Sequence, residues 1–388
     1  MPFEIQVLPS LSSIDATTWN ALLDQDSGPF LRYEFLATLE ESACVGPDTG
    51  WQAAHLVLRE KDKPDICGAM PLYLKRHSYG EYVFDWAWAE AYSQHGLQYY
   101  PKALCAIPFT PVQGGRLLAH SDEARAALVN GLKQLVMQNQ LSSAHVLFPL
   151  KTGLDALVHE GFLLRKAVQF HWHNQEFINF EAFLNSLNMK KRKNIRRERR
   201  IVTESGITFS HLSGSAATID DWHFFYRCYA NTYFEHHSTP YLNEDFFMQW
   251  AKRMPENLHL IIAKRNQQAI AASLLVVDRK APISTAYGRY WGCLESIPCL
   301  HFETAYYQAI EFCIKEKIQL FEGGAQGQHK MARGFLPTTV QSAHWLADER
   351  FLSAVDRFLE RERQGIDQYI DELAEHSPLR QNENLIIG

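Results

Sequence analysis

LHLIIAKRNQQAIAASLLVVD, residues 258–278, is two apolar runs rich in Leu, Ile and Val around a polar turn at residues 265–268. That pattern predicts an antiparallel hairpin. Upstream, ITFSHL (207–212) reads as a strand, and DDWHFFYRCYANTYF (220–234) and EDFFMQWAKRM (244–254) read as helices. Downstream, APISTAYGRYW (281–291) is a further strand. HFETAYYQAIEFCIKEK (301–317) places Phe302, Tyr306, Ile310 and Cys313 on one helical face. The strands QLFEGG (319–324) and TTVQSAHWLA (338–347) follow, and a charged helix from about Glu349 to Glu375 closes the pattern.

The first half has the same rhythm. EIQVLP (4–9) is strand-like, and helical segments lie around residues 19–23 and Tyr33–Glu41. WQAAHLVLRE and DICGAMPLYLK form a hairpin pattern about the charged turn KDKPD (61–65). A helix over EARAALVNGLKQLVMQNQ (123–140), the strand AHVLFPL (144–150), a short helix ending at Gly161 and the strand FLLRKAVQFHW (162–172) complete it. The repeated order predicts an α/β (α+β) chain of two tandem domains, 1–168 and 169–388, with mixed, mostly antiparallel sheets. The second domain starts with a basic helix and ends with the C-terminal helix.

With 388 residues, each half can bury its own core. Hydrophobic residues make up 46% and charged residues 21%, which argues against wholesale disorder. A net charge of -6 confines any polyanion partner to a local basic patch. No apolar run approaches the ~18 residues of a membrane span. The opening MPFEIQVLPSLSSID has no signal-peptide pattern, and seven widely spaced cysteines without CxxC read as reduced thiols. These features together predict a cytoplasmic protein.

MKKRKNIRRERR (189–200) supplies the patch, with eight Lys/Arg in the eleven positions from Lys190 to Arg200. Phe180, Leu184, Leu187, Ile195 and Val202 recur at roughly helical spacing, so one stripe packs while the other faces carry charge. Such a run is either a solvated face or a site for an anionic partner: RNA, a nucleotide diphosphate or a phospholipid headgroup. GGAQGQHKMARGF (323–335) is the second unusual stretch, with four glycines among a histidine, a lysine and an arginine. It is not a P-loop, and the chain has no GxGxxG after a strand, no HExxH and no GxSxG. No histidine cluster has the spacing of a known ligand set, so no metal is expected.

YYPKALCAIPFTPVQGGRLL (99–118), residues 165–199, PYLNEDFF (240–247) and GGAQGQHKMARGFLPTTVQSAHW (323–345) together resemble the FemAB-like N-acyltransferases, a bacterial family labelled as peptidoglycan biosynthesis or recognition proteins. The resemblance covers nearly the whole chain and implies two tandem GNAT-like folds. It implies an N-acyltransferase that moves an acyl or aminoacyl group to an amine acceptor such as a cell-wall precursor. The co-substrate would be acyl-CoA or aminoacyl-tRNA, with no tightly bound cofactor. A GNAT-type CoA site needs a glycine-rich turn at a helix N-terminus. The chain has CLESIPCL (293–300) there, with Pro298 and Glu295, and the counterpart HSDEARAAL (120–128) is no better suited.

Acyl transfer needs aligned substrates, a proton acceptor and donors for the oxyanion. In a GNAT-like domain the sheet splays between its fourth and fifth strands, here APISTAYGRYW and QLFEGG, and the glycine stretch leaves the fifth. On that placement His329 is the first general-base candidate, with an ordinary pKa near ~6.5. Glu322 and Glu303 follow. Lys330 and Arg333 would hold an anion or stabilise the oxyanion. Tyr287, Arg289 and Tyr241 would line the groove. Lys193, Arg196 and Arg197 would extend an anion path, and Asn243 caps a helix. The competing reading makes Tyr287 a core residue and His329 a turn hydrogen-bond donor. The alternative function is a non-catalytic binder of RNA or a cell-wall precursor on the same fold, or a peripheral membrane scaffold using the basic helix.

Overall fold

A computed structural model describes residues 3–325 and 327–380. The chain forms two compact units. The first comprises Met1–Ala167, Tyr241–Arg253 and Thr339–Asp367; the second comprises Val168–Pro240, Met254–Thr338 and Gln368–Gly388. The first break falls between Ala167 and Val168, where the expected boundary followed residue 168. Segments 241–253 and 339–367, expected in the second domain, belong instead to the first unit.

In the second unit the hairpin Leu258–Arg265 and Gln268–Asp278 turns at Asn266 and Gln267, both with positive φ. A two-residue loop with both residues left-handed matches the twist of the flanking strands, so no glycine is needed. The ladder runs Ile207–Ser213, Leu258–Arg265, Gln268–Asp278, Thr285–Cys293, Leu320–Ala325 and then the end of Leu163–His173. Its pairings are antiparallel except that of Thr285–Cys293 with Leu320–Ala325. One face of this sheet is apolar: Phe170, Trp172, Leu275, Val277, Ala286 and Phe321 pack against Tyr307, Ile310 and Cys313.

The first unit has the same central motif. Lys102–Cys105 and Ser143–Leu147 pair in parallel, and Leu336–Leu346 adds to the latter antiparallel. The expected hairpin of residues 51–75 is there, but both its strands break, at Ala54 and Pro71. His55–Glu60 and Ile66–Met70 enter a separate four-stranded sheet, whereas Trp51–Ala53 and Leu72–Lys75 stay with Lys102–Cys105. Proline lacks the N–H that would continue the ladder. The core here joins Leu56, Leu58, Leu128, Leu132, Val136 and Val146. These topologies form the expected mixed α/β fold with mostly antiparallel sheets. Among the described residues, no helix is long and apolar enough to cross a membrane.

Candidate active site

The parallel ladder of the second unit pairs Thr285 with Leu320, Ala286 with Phe321 and Tyr287 with Glu322. Both strands continue, to Cys293 and Ala325, without further pairing to each other among the described residues. The sheet therefore opens at Tyr287 and Glu322. Two bulges shape the opening. Arg289 is an extra residue between Gly288, opposite Leu275, and Tyr290, opposite Leu274. Gly323 and Gly324 interrupt the register between Glu322, opposite His171, and Ala325, opposite Gln169. A bulge bends its strand and re-aims the neighbouring side chains. Gly324 has φ +80°, which disfavours a side chain, and a Cβ on it would lie 3.3 Å from Arg289 Nη1.

Strand register puts Tyr287, Glu322 and His171 in one row, on the face away from the apolar core. Arg289 Nη2 donates to Glu322 Oε2 at 3.3 Å, and its guanidinium lies 5.7 Å from the Tyr287 ring. Burial pushes the Glu322 carboxyl up to about 7 although Arg289 pulls it down. Lys330 is buried, with Nζ donating to Gly324 O at 3.3 Å. Burial, then Arg289, lowers its ammonium to about 8. His171 lies 3.3 Å from Gln169 Oε1 through Nε2, and burial lowers it to about 3, so its imidazole is neutral. The Tyr287 phenol is pushed up, first by burial and then by Glu322. Arg289 Nε has no hydrogen-bond partner among the described residues.

Four of the expected residues thus come together: Tyr287, Arg289, Glu322 and Lys330. The others are placed differently. His329 is exposed, with Nε2 3.3 Å from the Tyr306 hydroxyl, and burial followed by Lys330 and Arg333 lowers its pKa. Arg333, expected to hold a ligand anion, is instead buried against the chain's own carboxylate. Its Nη2 donates to both oxygens of Glu198 at 3.0 Å, and its guanidinium lies 3.3 Å over the Phe302 ring. Glu303 accepts from Arg199 Nε and from Gln308 Nε2. Tyr241 lies in the first unit, stacked on Phe109 with centroids 4.9 Å apart. Asn243 is a helix cap, accepting from Phe246 N at 2.9 Å. On the basic helix Met189–Glu204, Lys193, Arg196 and Arg197 are exposed, and Arg196 reaches Glu181 Oε2 at 2.6 Å. Sequence reasoning missed His171 and Gln169. Only strand register aligns His171 with Glu322.

The helix N-terminus where a GNAT-like domain would take a CoA pyrophosphate follows Cys299, whose side chain makes no capping bond among the described residues. Glu303 is buried one turn on and, with Glu311, takes Arg199. In the first unit, helix Asp122–Gln138 has Ser121 as its cap and Asp122 and Glu123 in its first turn. Neither donor set suits a phosphate.

Comparison with known proteins adds the family. The fold is similar to FemX, with TM-score 0.52, 11% identity, and coverage of 88% of this chain and 98% of that one. It is also similar to the C-terminal domain of a putative lysylphosphatidylglycerol synthetase from Agrobacterium fabrum, with TM-score 0.54, 9% identity, and coverage of 90% and 97%. A tandem GNAT protein from clavulanic acid biosynthesis matches with TM-score 0.47, 11% identity, and coverage of 89% and 99%. No curated protein is matched by sequence. Residues 10–381 match the family described as peptidoglycan biosynthesis/recognition, so the chain belongs to the FemAB-like family.

Proposed function

We propose that this chain is an aminoacyltransferase that moves an aminoacyl group from charged tRNA to the amine of a cell-wall precursor, at the opening between Thr285–Cys293 and Leu320–Ala325. Family membership supports transferase chemistry. The observation that carries the site is Glu322, a buried carboxyl raised to about 7 where the parallel ladder ends. A carboxyl so poised accepts a proton near neutrality.

In this reading the acceptor amine attacks the ester carbonyl carbon, forming a C–N bond and an oxyanion. Glu322 takes the amine proton. Collapse of the intermediate breaks the bond to the ribose oxygen, which receives that proton. Lys330 supplies positive charge for the oxyanion, and Arg289 and Tyr287 fix Glu322. Charged tRNA is favoured over acyl-CoA because both candidate helix N-termini carry the chain's own carboxylates.

Purified protein incubated with charged tRNAs, acyl-CoAs and amine acceptors should show amine-dependent loss of the aminoacyl ester. Glu322→Gln should lower the rate by ~10²–10⁴-fold. The pH profile of kcat/KM should rise through about 7 as Glu322 ionises and fall through about 8 as Lys330 loses its proton. Turnover unchanged in Glu322→Gln and Lys330→Met sinks the site. The second reading, a non-catalytic RNA binder, has its own observation: Lys190, Lys191, Lys193 and Arg197 make no ion pair among the described residues. Salt-sensitive tRNA binding without turnover would favour it.

A further inference from the structure

We propose that the loop of residues 78–86 in the first unit is a contact for the lipid–water interface of a bilayer. Its side chains divide into two sets. Ser78, Glu81, Val83 and Asp85 are buried, whereas Tyr79, Tyr82, Phe84 and Trp86 are 58%, 38%, 52% and 42% exposed. The buried set is fastened inward by Lys102, whose Nζ donates to Ser78 Oγ at 2.9 Å, to Glu81 Oε2 at 2.8 Å and to Asp85. The backbone is fastened too: Tyr79 O accepts from Lys75 Nζ at 3.2 Å, Gly80 O from Phe109 N at 3.2 Å, and Phe84 O from Arg165 Nη1 at 2.7 Å. The loop is therefore held in shape by its inner face, and its four aromatic rings stay partly exposed on the outer face. Tyr79 and Trp86 meet edge to face at 5.2 Å, which makes them a cluster rather than isolated surface residues.

Charge selects the occupant. Of the charged residues from Lys75 to Lys102, Lys75, Glu81, Asp85 and Lys102 are buried, and Arg76 and Glu90 are exposed. The displayed surface thus carries one charge of each sign. Tyrosine and tryptophan rings with an apolar body and a polar edge, beside phenylalanine and a balanced charge pair, suit a zwitterionic headgroup layer. An anionic polymer would need the uncompensated cations that this loop lacks.

The test is flotation of the full chain with vesicles of zwitterionic phosphatidylcholine at high salt, where exposed charges are screened. The wild type should float. The double variant Phe84→Ser, Trp86→Ser, folded as judged by circular dichroism and melting, should partition at least about tenfold less, because two rings no longer enter the interface. The variant Lys193→Ala, Arg197→Ala on the basic helix should float like the wild type. The proposal is overturned if the wild type stays in solution, if the double variant floats as well as the wild type, or if flotation is lost with the basic-helix variant or requires anionic lipid.

Discussion

The parallel strand pair occurs in both units, and its polar side chains are satisfied differently in each. In the first unit His145, opposite Leu104 on one side and His344 on the other, meets His344 Nδ1 to Nδ1 at 2.8 Å. Its Nε2 lies 2.8 Å from Ser143 Oγ and 3.0 Å from the Tyr99 hydroxyl, which donates to Asp85 Oδ2 at 2.6 Å. Lys102 closes the network, with its ammonium held up by Glu81 and Asp85 against burial. In the second unit the corresponding row across the ladder has Glu322, opposite Tyr287 on one side and His171 on the other. There the cation partner among the described residues is a 3.3 Å contact from Arg289, and both Glu322 and Lys330 sit near neutrality in pKa. A network whose members satisfy one another rigidifies a fold, whereas one left poised by burial can exchange protons with a substrate. Even the first network has a loose end: among the described residues Glu81 Oε1 has no hydrogen-bond partner, and it lies 3.9 Å from Lys75 Nζ. Burial raises Glu81 to about 7.

The largest expected effect is on the scaffold side. Lys102→Met leaves Asp85 buried without its cation and should destabilise the chain by ~3–5 kcal/mol in chemical denaturation. Adding Asp85→Asn should recover part of that loss. A cost below about 1 kcal/mol would erase the distinction between the two networks. Next comes Glu322→Gln, whose effect should be on catalysis and not on folding. The folded state holds the Glu322 proton more tightly than the unfolded chain does. Its favourable contribution is therefore complete below the ordinary carboxylate range and is lost as pH rises through about 7. At pH above 7 the glutamine variant should melt no lower than the wild type. A marked drop in its melting temperature would make Glu322 a scaffold residue like Asp85.

The sign reverses for the histidines of the first unit. Burial, then Lys102, lowers His145 to about 3 against the opposing pull of Asp85. His344 is also lowered, by burial, then His145 and then Arg165. Their unfolded forms bind protons first, so stability is lost as pH falls from the ordinary imidazole value near ~6.5 toward about 3. Hydrogen exchange at mildly acidic pH should accelerate in Ser143–Leu147 and Leu336–Leu346 before the helix Asp122–Gln138, which carries no histidine. Equal acceleration in both sets would remove the histidine pair as the acid-sensitive element.

Much of the fold was legible because its signals are local. The hairpin at 258–278, the helix Glu349–Glu375 and the cap at Asn243 each depend on residues within a few positions of one another. The site was legible only in part. Glu322, Tyr287 and Arg289 stand next to glycines that mark the opening, and Lys330 lies within the same glycine-rich stretch. His171 is about 150 residues away in sequence from Glu322, and only strand pairing aligns them. Arg333 misled for the same reason: nothing in GGAQGQHKMARGF shows that Glu198, on the basic helix, would take its guanidinium. Interleaving of the units was equally invisible, because no change of composition marks residues 241–253 or 339–367.

The smallest stability effect belongs to the basic helix, where the contrast between satisfied and unsatisfied charge recurs within sixteen residues. Arg199 is partly buried and held by Glu303 and Glu311, and Arg196 pairs with Glu181. Lys193 and Arg197 lie on the exposed face with Met189 and Arg200, and helical repulsion among such cations costs ~0.2–0.5 kcal/mol per pair. Replacing Lys193 and Arg197 by alanine should therefore leave stability within about 0.5 kcal/mol of the wild type. If these cations meet phosphates of a tRNA, the same change should reduce the slope of log affinity against log salt by about 2. An unchanged slope would make this face a solvated one, and the anion path would then have to be sought nearer Lys330.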